Sequence, residues 1–150
     1  MNLVDIIELH IKAQLEDSLD NRVLLRRNEL AQFFGCAPSQ INYVIQTRFN
    51  VERGYLTESQ RGGGGYIRVI RLNRDKFKKV LPALTKLDGG INQRQALDFI
   101  HWLHDQDMIS TREAKIMSVV LDGSVLNFAT RDDLRARMLI AMVEAIMGEG

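Results

Sequence analysis

Four consecutive glycines, Gly62–Gly65, separate two short segments of alternating apolar and polar residues, Gly54–Gln60 and Tyr66–Leu72. A run of glycine is costly in chain entropy and adds nothing to a core. Its presence between two strand-like segments therefore marks the tip of a β-hairpin, with Arg61 to Gly65 as the turn. In the return strand, Tyr66, Arg68 and Ile70 share one side, and Ile67, Val69 and Arg71 the other.

The segment before the hairpin reads as two helices and a tight turn. Asn28 is the expected N-cap of a short helix, Glu29–Phe34, that packs through Leu30, Phe33 and Phe34. Gly35-Cys36-Ala37 is the turn, and Pro38 suits the first position of the next helix, where its missing N–H is not needed. In that second helix, Ser39 to Arg48, the residues Ile41, Val44 and Ile45 share an inward face. Ser39, Tyr43, Gln46 and Thr47 lie opposite, flanked by Gln40 and Asn42, with Arg48 at the end. Amides, hydroxyls and arginine on one helix face suit hydrogen bonding to base edges. A helix-turn-helix followed directly by a hairpin is the winged arrangement, whose wing reaches the DNA backbone or the minor groove.

Charge placement agrees with that reading, although the total does not announce it. The 150 residues carry a net charge of +1, too little to draw the whole chain to a polyanion. From Ser39 to Arg74, however, six arginines face two acids and no lysine occurs. A glycine tip lets backbone approach the sugar-phosphate walls closely, and Arg61 beside it is placed to enter a narrow minor groove. A nucleotide site built on Gly62–Gly65 is disfavoured, because a strand follows and the Gly-Lys-Ser/Thr ending of a P-loop is absent.

The remainder of the chain is helical in pattern. Val4–Leu19 is an amphipathic helix, and Val23–Leu25 is a short apolar stretch. Phe77 to Leu87 suggests a helix kinked at Pro82, and Asp88-Gly89-Gly90 breaks it. Asn92–Gln95 and Ser110–Glu113 have the form of capping boxes, and Thr130–Asp133 places an acid at the same spacing. These open helices over 92–105, 111–121 and 131–147, the last with an apolar stripe of Met138, Leu139, Met142, Val143, Ile146 and Met147. The expected fold is mainly α with a small β-hairpin wing. An N-terminal winged helix-turn-helix domain occupies 1–74, and a C-terminal helical bundle occupies 75–150. The bundle is small, so a second copy is expected to complete its core.

Catalysis and metal binding find little support. His101 and His104 share a helix face without a third ligand, and one cysteine, Cys36, makes neither a disulfide nor a cysteine-rich zinc site. No apolar run reaches the length of a membrane span, and Asp5 and Glu8 stand where a signal peptide is basic and then apolar. The expectation is a cytoplasmic binding protein, not an enzyme, without cofactor or metal.

From Cys36 onward the resemblance becomes specific. Cys36-Ala-Pro-Ser-Gln-Ile-Asn-Tyr-Val-Ile, Thr47-Arg-Phe, Glu52-Arg-Gly-Tyr and Arg61-Gly-Gly-Gly-Gly-Tyr-Ile-Arg together resemble the CtsR family, class III stress-gene repressors of low-GC Gram-positive bacteria. The likeness extends from Asp5-Ile-Ile-Glu8 to Arg131-Asp-Asp-Leu-Arg-Ala-Arg137. It implies a homodimer that binds tandem direct-repeat operators before Clp chaperone and protease genes and lets go on heating. It further implies DNA contacts from the second helix, with Ser39, Gln40 and Tyr43 in its recognition segment, and a minor-groove contact from Arg61. The wing, Gly62, Gly63, Gly64 and Gly65, would be the thermosensor. A protein arginine kinase and the Clp protease machinery would be partners, with Arg61 the candidate phosphorylation site and Gly64 a candidate position for thermal control. A physical basis exists for the thermal response: ordering glycines costs about 1–2 kcal/mol each, a cost that grows with temperature. The competing assignment is a winged-helix protein–protein interaction module without specific DNA readout.

Overall fold

The computed structural model describes residues 1–60, 65–81 and 90–148, and the chain divides into two compact units, Met1–Leu72 and Asn73–Gly150. Arg61, Gly62, Gly63 and Gly64 lie outside the described residues, as do Pro82 and its expected kink.

The first unit begins with α1, Leu3–Asp17, whose N-cap Asn2 accepts a hydrogen bond from Asp5 N. It buries Ile7, Ile11 and Leu15, the i, i+4, i+8 row of an amphipathic helix. Strand β1, Arg22–Arg26, leads straight into α2, Arg27–Phe34, and α3 spans Pro38–Arg48. A short 3₁₀ turn, Val51–Arg53, precedes β2, Tyr55–Gln60, and β3, Tyr66–Arg71. The sheet has the order β1-β3-β2 and is antiparallel throughout. The stretch Val23–Leu25, read above only as apolar, is thus the middle of a third strand, with Val23 opposite Val69 and Leu25 opposite Ile67. The hairpin supplies two of the three strands of a sheet whose central strand, β3, is braced on both sides. One apolar core joins the sheet to the helices, through Leu25, Leu30, Ile41, Val44, Phe49, Ile67 and Val69.

Two local expectations are corrected here. Helix α2 starts at Arg27, and its N-cap is Arg26 without a side-chain cap bond; the continuous strand-to-helix transition leaves Asn28 inside the first turn. Phe33 is 73% exposed, so α2 packs through Leu30, Ala31 and the partly buried Phe34. The Phe33 ring lies instead beside His10 and Phe34, with centroids 5.6 and 4.9 Å away.

The second unit contains α4 (Arg74–Val80), α5 (Gln93–Asp105), α6 (Thr111–Val120) and α7 (Arg131–Met147). Both expected capping boxes are present: Asn92 with Gln95, and Ser110 with Glu113, each bonded reciprocally. Thr130 makes no side-chain cap bond. The acids of that segment turn to arginines one helical turn on, Asp132 to Arg135 at 2.6 Å and Asp133 to Arg137 at 3.3 Å. The buried stripe of α7 is Arg135, Ala136, Leu139, Ile140, Val143 and Met147, rotated from the expected one so that Met138, Met142 and Ile146 are only half-buried.

Arg135 is 2% exposed. Its Nε donates to Leu121 O and its Nη1 to Ile91 O and Asp132 Oδ1. One guanidinium thus satisfies carbonyls at the end of α6 and just before α5. Beside it, Gln93 donates to Asp122 Oδ2 at 2.7 Å and accepts from Gly123 N at 3.0 Å. Hydrogen bonds from Ser124, then Gln93, hold the Asp122 carboxyl below its usual value. Gly90 has φ +71°, and a Cβ there would collide with the carbonyl of Asp132.

Candidate nucleic-acid interface

The turn between α2 and α3 is built from glycine's left-handed conformation. Gly35 has φ 64°, and Cys36 N donates to Ala31 O at 2.9 Å, closing the last turn of α2. No atom would obstruct a Cβ at Gly35, so backbone conformation, not space, selects glycine. Pro38 then opens α3 at the first helical position.

Helix α3 separates its two faces as the pattern requires. Ile41, Val44 and Ile45 are buried, while Ser39, Gln40, Tyr43 and Gln46 are exposed. Asn42 and Thr47 are half-buried, and the Thr47 hydroxyl donates to Tyr43 O at 2.7 Å. Among the described residues, the side chains of Ser39, Gln40, Asn42, Tyr43 and Gln46 make no hydrogen bond, which leaves their donors and acceptors available to a ligand. Phe49, after the helix, anchors its end against Tyr55 with ring centroids 4.9 Å apart. Burial raises the Tyr55 phenol above its usual range.

Arg48 departs from this set. Its Nη1 lies 2.7 Å from Glu8 and 3.2 Å from Asp5, so it ties α3 to α1. Burial pushes Glu8 up, but Lys12 and Arg48 outweigh it and the carboxyl lies below its ordinary value. Other arginines in the basic stretch are similarly engaged. Arg68 pairs with Glu58, and Arg71 with Glu16 and Asn21. The local positive charge read from sequence is therefore partly neutralised within the fold.

At the described end of the hairpin turn, Gly65 has φ 78° and its carbonyl accepts from Arg27 N at 3.0 Å. A Cβ on Gly65 would meet the Arg27 guanidinium at 2.7 Å. Arg27 Nε has no hydrogen-bond partner among the described residues. Sequence reasoning missed this cation; the signal was its position directly after β1, at the true start of α2. Arg26, its neighbour, lies over the Tyr66 ring at 5.1 Å and pairs with Glu29.

Elsewhere, His104 contacts Thr111 Oγ1 at 3.0 Å, and Cys36 is a half-buried free thiol. Among the described residues there is no metal-binding cluster and no helix long and apolar enough to cross a membrane.

Comparison with known proteins places both units. The family model for the CtsR N-terminal HTH domain matches residues 2–73, and that for the CtsR C-terminal dimerization domain matches 75–144. The chain is 47% identical to the transcriptional regulator CtsR of Geobacillus stearothermophilus, over 97% of both chains. It is 43% identical to that of Bacillus subtilis strain 168, over 97% of this chain and 96% of the relative. A crystal structure of CtsR in complex with a 26 bp DNA duplex superposes with a TM-score of 0.79 at 46% identity, covering 99% of this chain and 100% of that one. The two matched domains, in order and over nearly the whole length, establish that the chain belongs to the CtsR family of transcriptional regulators, which are not enzymes.

Proposed function

We propose that this protein is a dimeric, cytoplasmic, sequence-specific DNA-binding repressor of stress genes. The observation that carries the proposal is the outer face of α3, where exposed amide, hydroxyl and phenol groups are left unbonded beside a turn of helix-turn-helix geometry. Ser39, Gln40, Tyr43 and Gln46 read base edges in the major groove, with Asn42 and Thr47 at the margins. Arg48, held by Glu8 and Asp5, orients α3 and leaves direct contact to the others. Arg27, beside Gly65 at the end of the hairpin turn, binds phosphate, and Arg61 with Gly62–Gly65 enters the minor groove. Half-buried Met138, Met142 and Ile146 in the second unit supply apolar surface for a second copy of the chain.

The regulatory reading is finer and rests on the family. The targets are Clp chaperone and protease genes behind tandem direct repeats, and heat releases the repressor. Phosphorylation of Arg61 by a protein arginine kinase replaces a cation facing phosphate with an anion, and Clp protease machinery removes the released protein.

The test is binding of full-length protein to a tandem-repeat duplex and to scrambled DNA, over a salt series, at growth and heat-shock temperatures. Specific binding with a steep salt dependence that falls on warming, while the protein stays folded, is the expected result. Specific binding without a thermal change overturns the thermosensor and moves heat sensing to partners. No preference for the repeat overturns DNA readout in favour of the protein-interaction module.

A further inference from the structure

A recess of about 270 Å³ lies between the first turns of α1 and α3, lined by Leu3, Val4 and Ile7 on one side and Ser39, Gln40 and Tyr43 on the other. Ile7 and, on α3, Val44 have no exposed surface and lie deepest. Leu3 and Val4 are half-exposed, and Ser39, Gln40 and Tyr43 are exposed at the rim. The recess is thus continuous with the outer face of α3, but its chemistry differs from the rest of that face. Its α1 wall is wholly apolar, and none of the seven lining residues, Val44 among them, carries a charge. Such a wall offers nothing to a phosphate or to a purine hydrogen-bonding edge. In the major groove the apolar group that the bases present is the C5-methyl of thymine.

We propose that this recess is a thymine-methyl subsite, in which Leu3 and Val4 of α1 receive the methyl while Ser39 and Gln40 address the adjoining base edges. The inference rests on the DNA reading above and deepens it. Sequence preference is set by α1 as well as by the recognition helix. Leu3 and Val4 belong to no helix-turn-helix motif, and their half-exposure beside Tyr43 leaves apolar surface that their own core does not cover.

The methyl is tested by deoxyuridine, which removes it and keeps every hydrogen-bonding group of the base. The duplex is the tightest binder selected by the full-length protein from a randomised library, and each thymine is replaced in turn. At one thymine per half-site the affinity should fall about fourfold, the equivalent of about 0.8 kcal/mol for one buried methyl-sized group. Other thymines should be insensitive. Leu3→Ala should weaken binding to the thymine duplex and erase the difference between thymine and deoxyuridine at that position. Val4→Thr, which keeps shape and replaces a methyl with a hydroxyl, should do the same in a protein whose circular dichroism is unchanged.

Specific binding that is indifferent to deoxyuridine everywhere overturns the subsite and leaves DNA readout standing. Sensitivity that persists undiminished in a folded Val4→Thr protein also overturns it, by assigning the methyl to another side chain. Failure to select any preferred duplex overturns the DNA reading itself and the subsite with it.

Discussion

The two units of this chain handle their polar groups in opposite ways. In the first, the core cluster is apolar, from Ile7 and Ile11 to Ile67 and Val69, with Glu52 buried outside it, and backbone polarity is absorbed by strand pairing on both sides of β3. In the second, a guanidinium is buried at the junction of α5, α6 and α7, where its Nε and Nη1 donate to two carbonyls and a carboxylate. A dry core leaves the polar side chains of α3 on the outside, free for recognition. A polar clamp directs its donors inward, where they fix helix ends and read nothing. The difference teaches that the location of unpaired hydrogen-bonding groups, more than the count of charges, separates a reading surface from a structural one.

Arg135→Ala should break the comparison most severely. It leaves Leu121 O, Ile91 O and Asp132 without their partner and should cost the second unit about 3–5 kcal/mol. Urea titration of the full chain should show that unit unfolding early, with the transition of the first unit in place. Gly90→Ala comes next. It forces a side chain onto a positive φ and into the Asp132 carbonyl, and a loss of about 2–3 kcal/mol in the same transition is expected.

Acid should act weakly, and in the first unit through Glu8. Glu8 titrates below its ordinary value of 4.5, so its contribution is present above that pH and is lost as pH falls through the lower, folded value. Thermal melts down a pH series should show the fall, and Glu8→Gln should flatten that part of the profile. Arg27→Ala should leave stability nearly unchanged. Its effect should be a uniform loss of affinity across DNA sequences and a salt slope smaller by about 1. An affinity loss confined to one base pair would remove Arg27 from the backbone-contacting set.

What could be read from sequence follows the same division between local and distant causes. The Gly35 stop, the Pro38 start, the boundaries of α7 and the caps at Asn92 and Ser110 were legible, because each is determined within a few residues. The inward and outward faces of α3 followed from helical spacing alone. Strand β1 was not legible, because three apolar residues become a strand only through partners in β3. The ion pairs of Arg48 were not legible for a similar reason: its acids lie on α1, far away in the chain. Arg135 reads as an exposed helix charge, although it stands one turn before Leu139 and so shares the phase of the buried stripe. Thr130 shows the limit of a spacing argument, since Asp132 and Asp133 found arginine partners on their own helix.

The order β1-β3-β2 has a consequence for how the protein is made. Pairing of Arg26 with Tyr66 closes the whole segment 27–65 into a loop, and that segment contains both helices of the reading motif. Its closure carries an entropic cost that neighbouring contacts cannot meet before the last strand arrives. On a ribosome, α2 and α3 therefore gain their full support only after β3 has emerged from the exit tunnel. A nascent chain stalled before Tyr66 would hold the reading helix without the strand that closes its frame, and should be digested by protease where the longer chain resists.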